Sequence, residues 1–229
     1  MHIIKTYAIT DKVIMNENID DRTVHINNRK SYLLIKRIAD VLFSIIGLVV
    51  LSPLICIVAI LIVIEDGTPV VFTQERNGLN NKIFTMYKFR SMIKKAPEMR
   101  TVLDQYNELD GPAFKMKDDP RITKIGRFIR RTSIDELPQL INIIKGDMSM
   151  VGPRPLPTYE TVQCNDYQMQ RLLVKPGLTC YWQISGRNDI SFDEWIEMDL
   201  KYIEEASIFT DLKILLMTVK AVLTKKGAY

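Results

Sequence analysis

Apolar residues are unevenly spread along the 229-residue chain. From Val41 to Ile64 no side chain carries a charge. At about 1.5 Å per residue this stretch makes roughly 36 Å of helix, enough to cross a bilayer core with tilt. It lies too far from Met1 for a signal peptide, and no small-residue cleavage site follows. An ordinary transmembrane anchor is the simplest assignment. Ser52-Pro53, at the middle, points elsewhere. Proline removes an N–H and clashes with the preceding turn, so a bend is expected there. Each half is then roughly 16 Å long, about half the core thickness. Arg29, Lys30, Lys36 and Arg37 precede the segment, and Arg76, Lys82, Lys88 and Arg90 follow it. Positive charge on both flanks gives no sidedness, so both ends are expected on one face. A re-entrant helix broken at Ser52-Pro53 satisfies both observations, with Ser52 available to a carbonyl that the proline frees.

The rest of the chain alternates in other ways. Residues 1–28 are polar and read as a mobile extension. Residues 69–74 and 83–87 are β-prone runs separated by Asn77-Gly78 and Asn80-Asn81, which predicts a hairpin. Residues 96–110 read as helix, ended by Gly111-Pro112. Over residues 121–131, Arg121, Lys124, Arg127, Arg130 and Arg131 mark one face, while Ile122, Ile125, Phe128 and Ile129 mark another. That pattern predicts a basic amphipathic helix, either a solvated face over a core or a membrane-surface helix. Residues 135–145 carry an apolar stripe of Leu137, Leu140, Ile141 and Ile144. Residues 151–157 are proline-rich and read as loop. Phe192, Trp195, Ile196 and Ile203 mark one C-terminal helix. Leu212, Leu215, Leu216, Val219, Val222 and Leu223, with flanking lysines, mark another that can pack on a core or lie among headgroups.

The fold class is therefore α+β and mostly α. The expected organisation is an extension over residues 1–30, a membrane helix over 31–66 and a membrane-surface domain over 67–229. Interfacial amphipathic helices and a small hairpin complete it.

Composition narrows the chemistry. The only histidines, His2 and His25, lie in the polar N-terminal stretch, so acid, base or nucleophile comes from other side chains. Cys56, Cys164 and Cys180 are far apart and form no disulfide or zinc pattern. There is no P-loop and no GxGxxG. A net charge of +4 suits an anionic partner without selecting one.

Asp135-Glu136 is the sharpest feature. Two readings stand. Asp135 could cap a helix that starts near Pro138, and Ser133-x-x-Glu136 matches a capping box. Alternatively the pair is chemical. A helix N-terminus favours anions, nearby Arg130 and Arg131 can hold phosphate, and a carboxylate can attack phosphorus. A second carboxylate can hold Mg²⁺ together with substrate phosphates. Lys88 and Arg90 at the end of the second strand, Arg154 in Gly152-Pro153-Arg154-Pro155, and Arg187 after Gly186 add basic groups beside turn residues. Singly, each is an ordinary surface ion pair.

Taken in order, these motifs resemble the bacterial sugar transferases, the monotopic phosphoglycosyl transferases that act on polyprenyl phosphate. The matching residues are Lys36-Arg37 with Asp40, Ser52-Pro53, Lys88-Phe89-Arg90-Ser91-Met92 and the stretch from Phe114 to Arg121. Thr132 to Gln139, Lys145 to Pro155, Lys175 to Thr179, Trp182-Gln183 with Gly186-Arg187, and Gly227 to Tyr229 follow. The resemblance implies a re-entrant helix, Asp135 as nucleophile and Glu136 as the Mg²⁺ ligand. It implies that Arg130, Arg154 and Arg187 sit at a phosphate site, with Lys88 and Arg90 as substrate contacts. The implied partners are a UDP-sugar, undecaprenyl phosphate and membrane lipids, with a second copy of the chain as a further one. Glucose or galactose is the expected sugar, with an N-acetylated amino sugar as the alternative. The implied location is the bacterial inner membrane, with the catalytic domain on the cytoplasmic face, in capsule or exopolysaccharide synthesis. A non-catalytic basic membrane module is the rival from another class. A nucleic-acid binder has no supporting motif, and no nucleic-acid partner is expected.

Overall fold

A computed structural model describes residues 23–108, 111–114, 116–185 and 190–224. Helix α1 (Lys30–Val50) and helix α2 (Ser52–Asp66) meet at Leu51 with a bend of 62°. Pro53 sits in the first turn of α2, where its missing N–H costs least. The Ser52 hydroxyl donates to the Val49 carbonyl at 2.8 Å, as expected for a carbonyl freed by the break. Among the described residues no single helix is long and apolar enough to cross a membrane, but this bent pair passes the test together. Ten large apolar side chains of α1 and five of α2 are exposed. Soluble proteins rarely leave so large a contiguous apolar surface uncovered.

The flanking charges serve less as a topology signal than the sequence suggested. Lys36, Arg37, Arg76, Lys88 and Arg90 all bind specific protein groups. Only Arg29, Lys30 and Lys82 of that set are exposed. The N-terminal segment also departs from the mobile extension expected there. Val24 is buried and its N–H donates to Gln170, while Asn27 donates to the Ala206 carbonyl. The rest of the extension, residues 1–22, lies outside the described residues.

Strands β1 (Val71–Asn77) and β2 (Ile83–Phe89) form the expected antiparallel hairpin, in register from Val71↔Phe89 to Asn77↔Ile83. Asn80 and Asn81 turn the chain at φ 53° and 62°, a region asparagine tolerates. Even-numbered β2 residues share a face. Phe84 and Met86 on that face pack on Leu140, Ile143 and Met148, while Phe89 packs with Val58, Ile62 and Ile129.

The region expected to be helical over 96–110 is mostly turn. It holds only the short α3 (Arg100–Leu103) and one 3-10 turn, and residues 109–110 lie outside the described residues. Helix α4 spans Lys124–Arg131 and starts later than the basic pattern, because the Thr123 side chain caps it. Glu65, at the end of α2, accepts from the Lys124 and Ile125 amides. Arg121 is not on the helix but buried against Asp119 at 2.6 Å. Gly126 is required by contact, since a Cβ there would lie 1.9 Å from the Ser91 carbonyl oxygen. Helix α5 (Gln139–Lys145) buries Gln139, Leu140, Asn142 and Ile143 and exposes Ile141. The predicted stripe was out of phase because α5 starts only after a 3-10 turn at 134–136.

Strand β3 (Ser149–Val151) pairs in parallel with β4 (Gly177–Thr179), a ladder the sequence did not signal. Short helices α6 (Thr158–Thr161) and α7 (Asp166–Met169) lie between them, and α8 (Tyr181–Ser185) follows. Helix α9 (Phe192–Glu205) buries Phe192, Trp195, Ile196 and Ile203 as expected. Helix α10 (Ile208–Thr224) anchors through Ile214 and leaves Phe209, Leu212, Leu216 and Val219 exposed.

Candidate active site

Chain reversal creates the centre of the site. Ser133 sits at φ 57°, in the left-handed region, and turns the chain from α4 into the 3-10 turn Ile134–Glu136. Asp135 and Glu136 stand side by side on that turn. Neither capping assignment is realised: Ser133 makes no cap hydrogen bond, and the residue heading α5 is Pro138. Helix α5 has seven residues. Its dipole therefore contributes less than the sequence reading assumed.

The two carboxylates have different surroundings. Glu136 Oε1 accepts from Arg154 Nη2 at 2.7 Å and from Lys88 Nζ at 3.2 Å. Burial raises the Glu136 pKa, but Arg154 and Lys88 outweigh it and hold the carboxyl well below the usual range. Asp135 accepts no hydrogen bond from any described residue. Burial, then the adjacent Glu136 charge, pushes its pKa up to about 6, against the pull of Lys88, Arg130 and Arg154. Lys88 is brought down to about 8, by burial first and then by Arg154. The arrangement is one carboxylate paired through a single oxygen with two cations, beside one that takes no hydrogen bond from a described residue.

Each cation is placed by its own element. Lys88 shares the inner face of β2 with Phe84 and Met86. The Asn142 side chain fixes that strand, taking the Tyr87 N–H at 3.0 Å and donating to the Thr85 carbonyl at 2.7 Å. Arg154 follows β3 in a loop pressed onto β4. Its guanidinium lies 5.6 Å from the Trp182 ring centroid, and Trp182 stacks on Trp195 at 4.6 Å. Arg171 donates to the Arg154 carbonyl and pairs with Asp199 at 2.5 Å. Arg130 is half-buried in the last turn of α4.

Not every expected residue joins this centre. Arg90, expected to touch substrate, donates to the Asp66 and Gly67 carbonyls and pairs with Asp66, so it holds the end of α2. Lys88 lies inside β2 and reaches Glu136, whereas Arg90 follows the last strand residue, Phe89, where the chain leaves the pleat and turns to the end of α2. Arg131 is exposed. Arg187 lies outside the described residues. Arg76 was missed as a site residue. It faces Phe84 across the hairpin, and burial followed by the Arg154 charge lowers its pKa to about 10. Only the strand register, pairing Arg76 with β2's inner face, identifies it. Asn142 was hidden by its place in an apolar stripe.

Among the described residues no group of three or more His, Cys, Asp or Glu side chains would cage a metal. The donor set still fits a cation of the Mg²⁺ kind, which takes one or two carboxylates and completes its shell with phosphate and water. Glu136 Oε2 accepts from no described residue.

A family model described as bacterial sugar transferase matches residues 31–225. The galactosyl transferase CpsE of Streptococcus agalactiae is 52% identical over 86% of this chain and 44% of its own length. The undecaprenyl-phosphate galactose phosphotransferase of Salmonella typhimurium is 42% identical over 88% of this chain and 43% of its own. The exopolysaccharide production protein ExoY of Rhizobium meliloti is 39% identical over 85% of this chain and 88% of its own. The chain thus spans less than half the length of the first two relatives and most of the third.

Proposed function

The chain belongs to the bacterial sugar transferase family, and from that premise we propose that it moves a sugar-1-phosphate from a UDP-sugar to undecaprenyl phosphate. The carrying observation is the asymmetry of the two carboxylates: Glu136 paired through Oε1 with Lys88 and Arg154, Asp135 without a hydrogen bond from any described donor. With a pKa near 6, Asp135 is ionised at neutral pH and more basic than an ordinary carboxylate.

Asp135 Oδ attacks the sugar-bound phosphorus of the UDP-sugar. The new O–P bond forms as the bridging P–O bond breaks, and UMP leaves with that electron pair. A phosphate oxygen of undecaprenyl phosphate then attacks the same phosphorus. The bond to Asp135 breaks, the carboxylate is regenerated, and undecaprenyl-diphosphate sugar departs. Lys88 and Arg154 stabilise charge on the equatorial oxygens, and Arg130 and Arg76 extend the positive field. Glu136 keeps Lys88 and Arg154 in place. It would also lend Oε2 to a bound Mg²⁺, which supplies charge neutralisation at the pyrophosphate.

The exposed apolar flanks of α1 and α2 support seating the bent pair in one leaflet, with α10 and Phe128 of α4 at the interface. A greasy acceptor and a soluble donor then meet at the cytoplasmic face of the bacterial inner membrane. The relatives' names favour galactose or glucose as the sugar, and exopolysaccharide or capsule as the product pathway.

UMP release by the full chain with undecaprenyl phosphate, Mg²⁺ and a panel of UDP-sugars tests the reaction. One sugar, in a lipid-dependent reaction, is expected to give UMP. Asp135→Asn is expected to abolish turnover, by at least about 10³-fold, in folded protein. An active Asp135→Asn enzyme would refute the covalent route. Cysteine labels at residues 30 and 70 are expected on the same side of the membrane.

A further inference from the structure

Helix α1 is polar at intervals of four: Tyr32, Lys36, Asp40 and Ser44. That spacing aligns all four on one face. Each reaches the body. Tyr32 donates to Asp211 at 3.1 Å. Lys36 Nζ donates to Asp211 at 2.8 Å, to the Tyr202 hydroxyl at 3.2 Å and to the Val151 carbonyl at 3.0 Å. Asp40 Oδ1 accepts from the Ser149 hydroxyl at 3.1 Å and from the Met150 N–H at 2.9 Å. The Ser44 hydroxyl lies 3.7 Å from the Met150 sulfur. Asp40 and Ser44 are buried. On a helix that exposes ten large apolar side chains, buried polar groups are costly unless paired. From Lys36 onward, every rung of this ladder ends on one short segment, Ser149–Val151.

Arg154 is three residues beyond. The intervening backbone is held at every step. Gly152 N–H donates to the Thr179 carbonyl and Gly177 N–H to the Pro153 carbonyl, both at 2.9 Å. Arg171 donates to the Arg154 carbonyl at 2.6 Å. Two backbones touch here: a Cβ on Gly152 would lie 2.4 Å from the Lys175 carbonyl oxygen. No slack separates the ladder from the guanidinium that binds Glu136.

We propose that Lys36 and Asp40 are positioning residues for the transfer reaction, acting through Arg154. By holding Val151 and Met150 they make the bent helix and the phosphate site one rigid unit, so the helix sets catalytic geometry as well as location. This inference rests on the functional reading above. Simple anchoring makes a different forecast: loss of folded protein, with normal kinetics in what remains.

The experiment uses the full chain in lipid nanodiscs, with UMP release and amide hydrogen exchange as readouts. Lys36→Met and Asp40→Leu are expected to lower kcat per folded molecule by at least about 10-fold, with a smaller change in UDP-sugar KM. Asp40→Asn keeps an acceptor oxygen and is expected to restore kcat to within about 3-fold of wild type. In an Arg154→Ala background, Lys36→Met is expected to cost less than about 2-fold more, because the group it positions is gone. Additive losses would overturn the proposal, and so would normal kcat in both variants. Peptides covering residues 149–154 are expected to exchange faster in Lys36→Met, and unchanged exchange would also overturn it. That readout needs no donor sugar, so it decides the coupling even if wild-type protein releases no UMP. Should Asp40→Leu fail to fold, Tyr202→Phe removes a second donor to the Val151 carbonyl, at 3.0 Å, and carries the same forecasts.

Discussion

The two arms of the bent helix do the same job by different physics. Helix α1 reaches Arg154 through polar contacts: Lys36 and Asp40 on β3, and Arg37 on the Ile143 and Ile144 carbonyls that end α5. Helix α2 has no charged residue before Glu65. It reaches Lys88 and Arg130 through Val58 and Ile62, which pack on Phe89 and Ile129, and through its end, where Arg90 and Glu65 tie it to β2 and α4. The two arms therefore deliver Lys88 and Arg154 to one oxygen, Glu136 Oε1. Directional contacts fix the arginine loop, where geometry matters. Packing fixes the strand and helix, where shape suffices.

This contrast can be broken on either side. On the α2 side, Ile129 is fully buried. Ile129→Ala is expected to cost about 2–5 kcal/mol of stability, read by urea or thermal unfolding. A loss well below that would mean the arm is not held by packing. On the α1 side, Gly152→Ala would force the Arg154 loop away from Lys175. A displacement of about 1 Å is expected to cost about 10²-fold in kcat, with a much smaller change in stability. Unfolding without a kinetic defect would reverse the assignment of roles.

Where the arms meet, pH sharpens the comparison. Asp135 attacks as the carboxylate, so kcat/KM is expected to rise about 10-fold per unit up to pH near 6. Above about 8, Lys88 loses its proton and the rate is expected to fall. Lys88→Arg should move the alkaline limb beyond pH 10, and an unmoved limb would separate it from Lys88. The stability sign is opposite on the acid side. The raised Asp135 pKa means the fold holds that proton more tightly than the unfolded chain. Its contribution therefore falls as pH rises from the ordinary carboxylate value to about 6. At the bend, Ser52→Ala removes one hydrogen bond to the Val49 carbonyl. The expected loss is about 0.5–1.5 kcal/mol, the smallest effect of the four, measured as thermal stability in micelles.

The sequence by itself determined the broken apolar segment, the hairpin, the C-terminal helices and the Asp135-Glu136 pair. Each is written locally: a proline inside an apolar run, asparagines that tolerate positive φ, a hydrophobic period, two adjacent carboxylates. The family followed from the order of such motifs. Only the tertiary structure decided which charges work together. Lys88 and Arg90 look equivalent in sequence, yet β2 ends between them at Phe89, so the strand aims Lys88 at Glu136 while Arg90, past its end, turns to the end of α2. Arg121 reads as part of a basic helix until Thr123 caps that helix and Asp119 buries the arginine. Arg76, Asn142 and the α1 ladder stayed invisible because their partners lie tens of residues away. Asp135 and Glu136 are neighbours of the same chemistry, and nothing local tells them apart. Burial and the reach of Lys88 and Arg154 separate their pKa values, because charge interactions depend on distance and desolvation in three dimensions rather than on chain position.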